Sequence, residues 1–374
     1  MIPPTHHTRC WAEIDLAALR HNVGVVRERI GPEADILAIV KADAYGHGMV
    51  PGAQALAKQP VAAFGVANVA EAAHLLEALP EAGIALLSPA LPDERPEVVR
   101  LGLRPWVSSL AEVLDYAKLA VEVRGPVGDP FDLEIKVDTG MGRMGVLEEG
   151  FEALRRAVSR LRALRLSGVV THLPSADEDE PFTTGQLARF DPLQRVAPPG
   201  ARFHAQNSAG LIYYPLRGRT TVRPGLMLYG SSPVPSFQGK LRPVLALKTR
   251  VTLVRDLPPG RGISYGRTFI TPRAMRVGTL AAGYADGYPR HLSNVKAEVL
   301  VRGQRCPVLG RVTMDQIMID LSALPGVDAG EEVVLIGRQG AGEILAGELA
   351  TKAGTIPWEI FTGLTTRVGR VYRG

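Results

Sequence analysis

Lys41 follows an apolar run, DILAIV (Asp35 to Val40), and precedes a turn-rich AYGHG segment. A run of that kind reads as a buried parallel strand. Strand carboxyl ends are where α/β sheets place their chemistry, so Lys41 is a candidate for it. A surface lysine leaving a strand is the competing reading. Further polar residues fall just after other apolar runs. DLEIKVDTGMGRMG (Asp132 to Gly145) ends a strand with Lys136 and Asp138 and enters a glycine-rich turn carrying Arg143. VVTHLPSAD presents His172, HAQNSAG offers Ser208 at a helix start, and VRPGLMLYG offers Arg223 before the bare backbone of Gly225. Helix starts and glycine turns with free N–H groups bind anions, so a phosphate-bearing ligand is expected there.

Eight strand-like runs must position these residues: DILAIVK, VAAFGVA, IALLS, LRPWVS, DLEIKVD, LSGVVTH, RFHAQN and TVRPGLMLYG. Helical patterns separate most of them, including VAEAAHLLEAL (Val69 to Leu79) and LEEGFEALRRAVSRLRAL (Leu147 to Leu164). Alternation of this kind predicts a (β/α)8 TIM-like barrel. A doubly wound open sheet is the alternative, but no GxGxxG turn follows an early strand. Asp15 is a good N-cap for a helix over Leu16 to Ile30, and Trp11 to Ile14 reads as a short strand. From Lys240 onward β-branched runs and turns dominate, with one short helix around Ile344 to Ala353. The barrel is therefore placed over residues 1–240 and a mainly β domain over 241–374. The strand at about 10–14 is a candidate to pack with that second domain.

The 374 residues are 46% hydrophobic and 22% charged, the balance of a globular protein with a sizeable core. The formal charge of +5 raises the question of nucleic acid, but the basic residues are spread along the chain without interleaved aromatics. In the densest stretch, Leu154, Val158, Leu161 and Leu164 share a helical face and the arginines lie mostly elsewhere, so no nucleic-acid partner is expected. Cys10 and Cys306 lie far apart and outside any CxxC pattern, which implies neither a disulfide framework nor a structural metal. The segment MIPPTHHTRCWAEID shows no leader, and no apolar stretch reaches membrane-spanning length. A cytoplasmic protein with no membrane partner is expected.

The ordered motifs VKADAYGHG, KVDTGMGRMG, THLPSAD, NSAG, VRPGLMLYG, SYGRTF, GYADGYPR and VTMDQ together make the chain resemble the alanine racemase family, enzymes of pyridoxal 5'-phosphate (PLP). The resemblance runs from about Trp11 to the carboxyl end. It implies a racemase that interconverts L- and D-alanine for peptidoglycan, working as a homodimer whose active sites are shared between subunits. Carried over by position, Lys41 would hold PLP as a Schiff base and serve as one base, with Tyr265 the second on the opposite substrate face. Arg143 would contact Tyr265 and the substrate carboxylate, favouring phenolate. Arg223 would face the pyridine nitrogen, oriented by His172, and as a permanent donor would leave that nitrogen unprotonated. Tyr45, Ser208 and the backbone of Gly225 and Leu226 would hold the phosphate. Tyr284 and Met314 would close the pocket around a methyl-sized side chain, with Lys136, Asp177, Arg290 and Asp315 in support. Lys136 matches a position that is often carbamylated in the family.

Two positions depart from the family pattern. Trp358 stands where a tyrosine usually touches the phosphate, and Thr313 stands where many relatives carry cysteine. The acidic run DEDE reads as helix-capping carboxylates, and PLP chemistry needs no metal. The rival readings are a broader-specificity amino-acid racemase, a fold-type III decarboxylase and a non-catalytic PLP-binding protein. Decarboxylases of that type lack the SYG tyrosine in this arrangement, and the binding proteins lack the long β domain.

Overall fold

Apolar runs alternating with amphipathic helices close into a barrel because each strand buries both faces, one on the barrel interior and one under helices. The computed structural model describes residues 9–125 and 128–374; residues 1–8, part of the segment read as carrying no leader, lie outside the described residues.

In chain order the first elements are β1 (Cys10–Asp15), α1 (Leu16–Ile30), β2 (Asp35–Ile39), α2 (Lys41–Gly46), α3 (Met49–Leu56), β3 (Ala63–Val66), α4 (Val69–Ala78), β4 (Ile84–Leu86), α5 (Arg95–Arg100) and β5 (Arg104–Val107). There follow α6 (Leu110–Arg124), β6 (Phe131–Lys136), α7 (Glu148–Arg160), β7 (Leu164–Val170), α8 (Glu180–Phe190), β8 (Arg202–His204), α9 (Ser208–Tyr213) and β9 (Thr221–Val222). Strands β2 to β9 form one sheet in the order β8-β7-β6-β5-β4-β3-β2-β9, and every paired neighbour is parallel. The seam between β8 and β9 is bridged by Thr220 N–H to the Phe203 carbonyl at 2.9 Å and by Phe203 N–H to Thr220 Oγ1 at 3.0 Å. The expected eight strands thus form a nearly closed barrel. Leu37, Leu133, Ile135, Val169 and Val222 of these strands are all buried. Each such side chain stabilises the fold by roughly 1.5–3 kcal/mol relative to exposure.

The second part of the chain contains β10 (Leu245–Leu257), β11 (Gly262–Ile263), β12 (Phe269–Ile270), β13 (Met275–Leu280), β14 (Glu298–Val301), β15 (Gln304–Pro307), β16 (Ile317–Asp320), β17 (Glu332–Gln339), β18 (Gly342–Ile344), α10 (Ala346–Ala353), α11 (Pro357–Thr362) and β19 (Gly369–Arg373). Its main sheet runs β15-β14-β17-β10-β1-β19. Strand β10 changes partner along its length, meeting β17 over Leu247–Arg250 and β13 over Val251–Leu257. By contacts the described residues divide into a barrel unit, within 20–44 and 49–241, and a β unit, within 9–19, 45–48 and 242–374. Strand β1 belongs to the second: it is antiparallel to β10 and parallel to β19.

Two expectations need correction. The helical pattern read through Leu164 stops earlier, because Leu161 caps α7 and Leu164 already opens β7. The segment after Lys41 is not a plain turn. Ala42, Asp43, Ala44 and Tyr45 all have φ of 52–53°, one turn of left-handed helix built without glycine until Gly46. Left-handed backbone costs roughly 1–2 kcal/mol per L-residue, so neighbouring structure must impose this turn.

Candidate active site

Because the barrel strands are parallel, the residues that follow them collect at one end. Lys41 follows β2, Lys136 ends β6, His172 follows β7, Ser208 opens α9 after β8, and Arg223 follows β9. Lys41 is half-buried. Loss of water, reinforced by Arg143, lowers the pKa of its amine, and Glu71 partly opposes this. The shift favours the neutral, nucleophilic form.

Arg143 rides on a loop closed at its base. Val146 N–H donates to the Lys136 carbonyl at 2.9 Å, and Asp138 N–H donates to the Val146 carbonyl at 2.8 Å. Within the loop, Asp138 Oδ1 accepts from the N–H groups of Gly140 at 2.9 Å and Met141 at 2.8 Å, and Oδ2 accepts from Gly142 at 3.0 Å. Gly145 has φ +122°, and a Cβ there would lie 2.7 Å from Asp138 N, so only glycine lets the loop close.

Arg223 is buried and donates to the Thr171 carbonyl at 2.6 Å and the Ala205 carbonyl at 3.0 Å. Its guanidinium also meets His204 Nδ1 at 3.1 Å and His172 Nδ1 at 3.4 Å. Behind it, His204 Nε2 lies 3.0 Å from Glu134 Oε2, which accepts from the Trp106 indole at 2.8 Å. A guanidinium only donates and a carboxylate only accepts, so His204 must be the neutral tautomer with its proton on Nε2. Burial brings the pKa of Arg223 down to about 9 against the attraction of Glu134, which leaves it charged at neutral pH. Burial also lowers His172, as do Arg223, Lys136, Arg143 and Lys41, so this imidazole is neutral.

Lys136 is fully buried, and its Nζ has no hydrogen-bond partner among the described residues. It lies 5.8 Å from the centroid of the Trp106 ring, and Arg223 Cζ lies 5.5 Å from the same centroid. Burial first, then Arg223, drives the Lys136 pKa well below its usual value. Ser208 Oγ accepts from Gly225 N–H at 3.1 Å and Met227 N–H at 3.3 Å, gathering the donors of a turn against a hydroxyl. Leu226 lies buried between them in sequence. Asp177 is exposed, two residues before the N-cap of α8.

The remaining expected residues lie in the β unit. Tyr45 is buried, and its phenol is bonded to the Trp358 side chain on α11; burial raises its pKa to about 12. The indole at the departure position thus has a polar partner of its own. Tyr265 is 72% exposed and Met314 52%. Tyr284 and Met314 sit on paired backbones: Tyr284 N–H donates to the Thr313 carbonyl and Ala285 N–H to the Met314 carbonyl, each at 3.0 Å. A Cβ at Gly283 would lie 2.3 Å from both accepting oxygens, so this approach demands glycine. Asp315 pairs with Arg367 at 2.9 Å, while Arg290 is exposed and opens a short 3-10 turn.

Sequence reasoning missed Glu134, His204, Trp106 and Glu71. The usable signal was an acid inside the apolar strand DLEIKVD and a histidine inside RFHAQN, since charge in a buried strand requires a partner. Among the described residues no His, Cys, Asp or Glu group is arranged to hold a metal, and no helix is long and apolar enough to cross a membrane.

A half-buried lysine, a buried arginine and a serine-gathered turn thus stand together at the strand ends of the barrel. Residues 14–233 match the model of the alanine racemase N-terminal domain, and residues 244–372 match that of its C-terminal domain. The chain is 44% identical to the alanine racemase of Symbiobacterium thermophilum over 373 residues, covering 97% of each chain. It is 41% identical to that of Halothermothrix orenii over 370 residues, covering 97% of this chain and 96% of the relative. Among solved structures, alanine racemase from Bartonella henselae with covalently bound pyridoxal phosphate superposes with a TM-score of 0.88 at 30% identity, covering 98% of this chain and 99% of that one. The chain belongs to the alanine racemase family.

Proposed function

We propose that this protein interconverts L- and D-alanine with PLP as cofactor, as a cytoplasmic homodimer supplying D-alanine for peptidoglycan. The observation that carries the reading is the half-buried Lys41 at the carboxyl end of β2, in the barrel that also holds the buried Arg223 and the Ser208 turn.

These residues fit the cofactor chemically. Lys41 would supply an amine for an aldehyde, its lowered pKa favouring the nucleophilic form. Ser208 with the N–H groups of Gly225, which turns from the serine hydroxyl, and Leu226 would supply donors for a phosphate, joined by Tyr45 beside Trp358. Arg223, held by Glu134 through His204 and flanked by His172, donates to a ring nitrogen and gives it no proton. The chemistry PLP supplies when bound is electron withdrawal that acidifies the substrate Cα–H bond.

The chain's own residues do the rest. Lys41 Nζ moves a proton at Cα on one face of alanine, and the partner subunit's Tyr265 moves one on the other. Arg143 binds the substrate carboxylate and favours phenolate at that tyrosine. Tyr284 and Met314 limit the side-chain space, each excess methylene costing about 1–3 kcal/mol. Arg290, Asp315 and Asp177 line the approach. Lys136, buried and with its pKa lowered toward the neutral form, is suited to add carbon dioxide: its nitrogen lone pair forms the N–C bond as a C=O π pair moves to oxygen, an N–H proton passes to water, and the resulting carbamate would hold Arg143.

The test is to reconstitute the protein with PLP and follow both alanine enantiomers by chiral chromatography. Interconversion is expected; retained chirality despite bound cofactor would sink the proposal. Tyr265→Phe should lose most activity yet keep the absorbance of lysine-linked cofactor, whereas Lys41→Ala should lose both. Mixing the two inactive variants should restore one intact site per heterodimer. No recovery after demonstrated subunit exchange counts against shared sites.

A further inference from the structure

The left-handed turn after Lys41 is clasped from outside. Glu71 lies in the first turn of α4, whose N-cap Asn68 accepts from the Glu71 N–H at 2.9 Å. Glu71 Oε1 accepts from Ala42 N–H at 2.8 Å, and Oε2 accepts from Ala67 N–H at 2.7 Å. On the other side of Lys41, Val40 N–H donates to the Gly65 carbonyl at 3.0 Å. Both backbone neighbours of the lysine are therefore tied to the β3–α4 segment. Two more bonds hold the turn: Ala44 N–H to the Val40 carbonyl at 2.8 Å, and Met49 N–H to Asp43 Oδ1 at 2.7 Å.

The N–H of Ala42 heads a helical turn of the wrong hand and has no preceding turn to bond to. A carboxylate satisfies it more strongly than a neutral acceptor would. The charged and titratable groups facing Lys41 in the barrel unit are Arg143 after β6, His172 after β7 and Glu71 from α4. Glu71 is the anion among these three.

We propose that Glu71 is a positioning residue for Lys41, clasping the turn that carries it and setting a negative charge beside its amine. This inference rests on Lys41 being the lysine that holds the cofactor. One carboxylate then does two things: it fixes the direction in which the lysine leaves the strand, and it moderates the desolvation that would otherwise push the amine further toward its neutral form.

The experiment uses full-length protein freed of cofactor, comparing wild type with Glu71→Gln and Glu71→Ala. Acetylation of the Lys41 amine by acetic anhydride, followed across pH by peptide mass mapping, reports its protonation. Amide hydrogen exchange reports the clasp. Glu71→Gln, nearly the same shape without the charge, should lower the pH midpoint of Lys41 acetylation by roughly half to one pH unit. Glu71→Ala should speed exchange at Ala42 and Ala67 by about tenfold or more. A wild-type midpoint in Glu71→Gln overturns the proposal, since a purely structural carboxylate would leave the titration alone; so does unchanged exchange at Ala42 in Glu71→Ala. The reading of Lys41 is checked separately: Lys41→Ala that still shows lysine-linked cofactor absorbance on adding PLP overturns that reading, whereas the Glu71 measurements involve no cofactor.

Discussion

Glu134 and His204 meet at 3.0 Å in the barrel interior, each 1% exposed. Burial alone would raise the carboxyl pKa, but His204, Arg104 and the Trp106 N–H outweigh it and hold Glu134 down at about 2. A depressed carboxylate pKa contributes stability that is fully present above the unfolded value near 4.5 and is lost as pH falls toward 2. Glu134→Gln should therefore be less stable at neutral pH and show a flatter loss of stability between about pH 4.5 and 2. Urea unfolding at a series of pH values measures both; parallel curves for the two proteins would refute the assignment.

Lys136 predicts the opposite sign. An unpartnered buried polar group costs about 1–3 kcal/mol, so Lys136→Met should melt at the same temperature as wild type or higher in bicarbonate-free buffer. If a carbamate forms and holds Arg143, the same variant should lose activity. Intact mass after bicarbonate incubation should show the added carbon dioxide on wild type and none on the variant, and an unmodified wild type would count against carbamylation.

The left-handed turn can be probed at Ala42, which is exposed with φ of 52°. Ala42→Gly should be neutral or stabilising by up to about 1 kcal/mol, because glycine adopts this backbone freely. Ala42→Val should destabilise by more than about 1 kcal/mol, since a branched Cβ crowds a left-handed carbonyl. Equal midpoints for the two variants in chemical unfolding would contradict the geometry.

Gly283 should tolerate no side chain. Its added Cβ meets two carbonyl oxygens that already accept from Tyr284 and Ala285, so Gly283→Ala must part the paired backbones. A destabilisation of about 1–3 kcal/mol is expected, together with a larger fall in activity than in stability if Tyr284 and Met314 form the pocket wall. Activity and unfolding midpoints measured on one preparation separate the two effects.

The barrel was legible because its order depends on patterns a single chain displays: eight apolar runs, helical periods between them, and polar residues after the strands. Less legible was whatever depends on partners distant in sequence. Nothing local in ADAY announces a left-handed turn, because the bonds that impose it come from Gly65, Glu71 and Met49. Likewise Glu134 signals in sequence only that a buried acid needs a partner, and which partner is not visible until His204, seventy positions later, is placed against it. The misplaced end of α7 has a simpler cause: Leu161 and Leu164 keep helical spacing, but one caps the helix and the other begins β7.

Strand β1 has one consequence for how the chain is made. It lies between β10 and β19, so the β unit takes an inner strand from before the barrel in sequence and an edge strand from long after it. During synthesis, the ribosome delivers β1 first and must translate the whole barrel before either neighbour exists. The apolar side chains of Trp11 and Ile14 wait all that time without their sheet. The barrel can form while β1 is still idle, and the β sheet gains this edge only once β19 has been made.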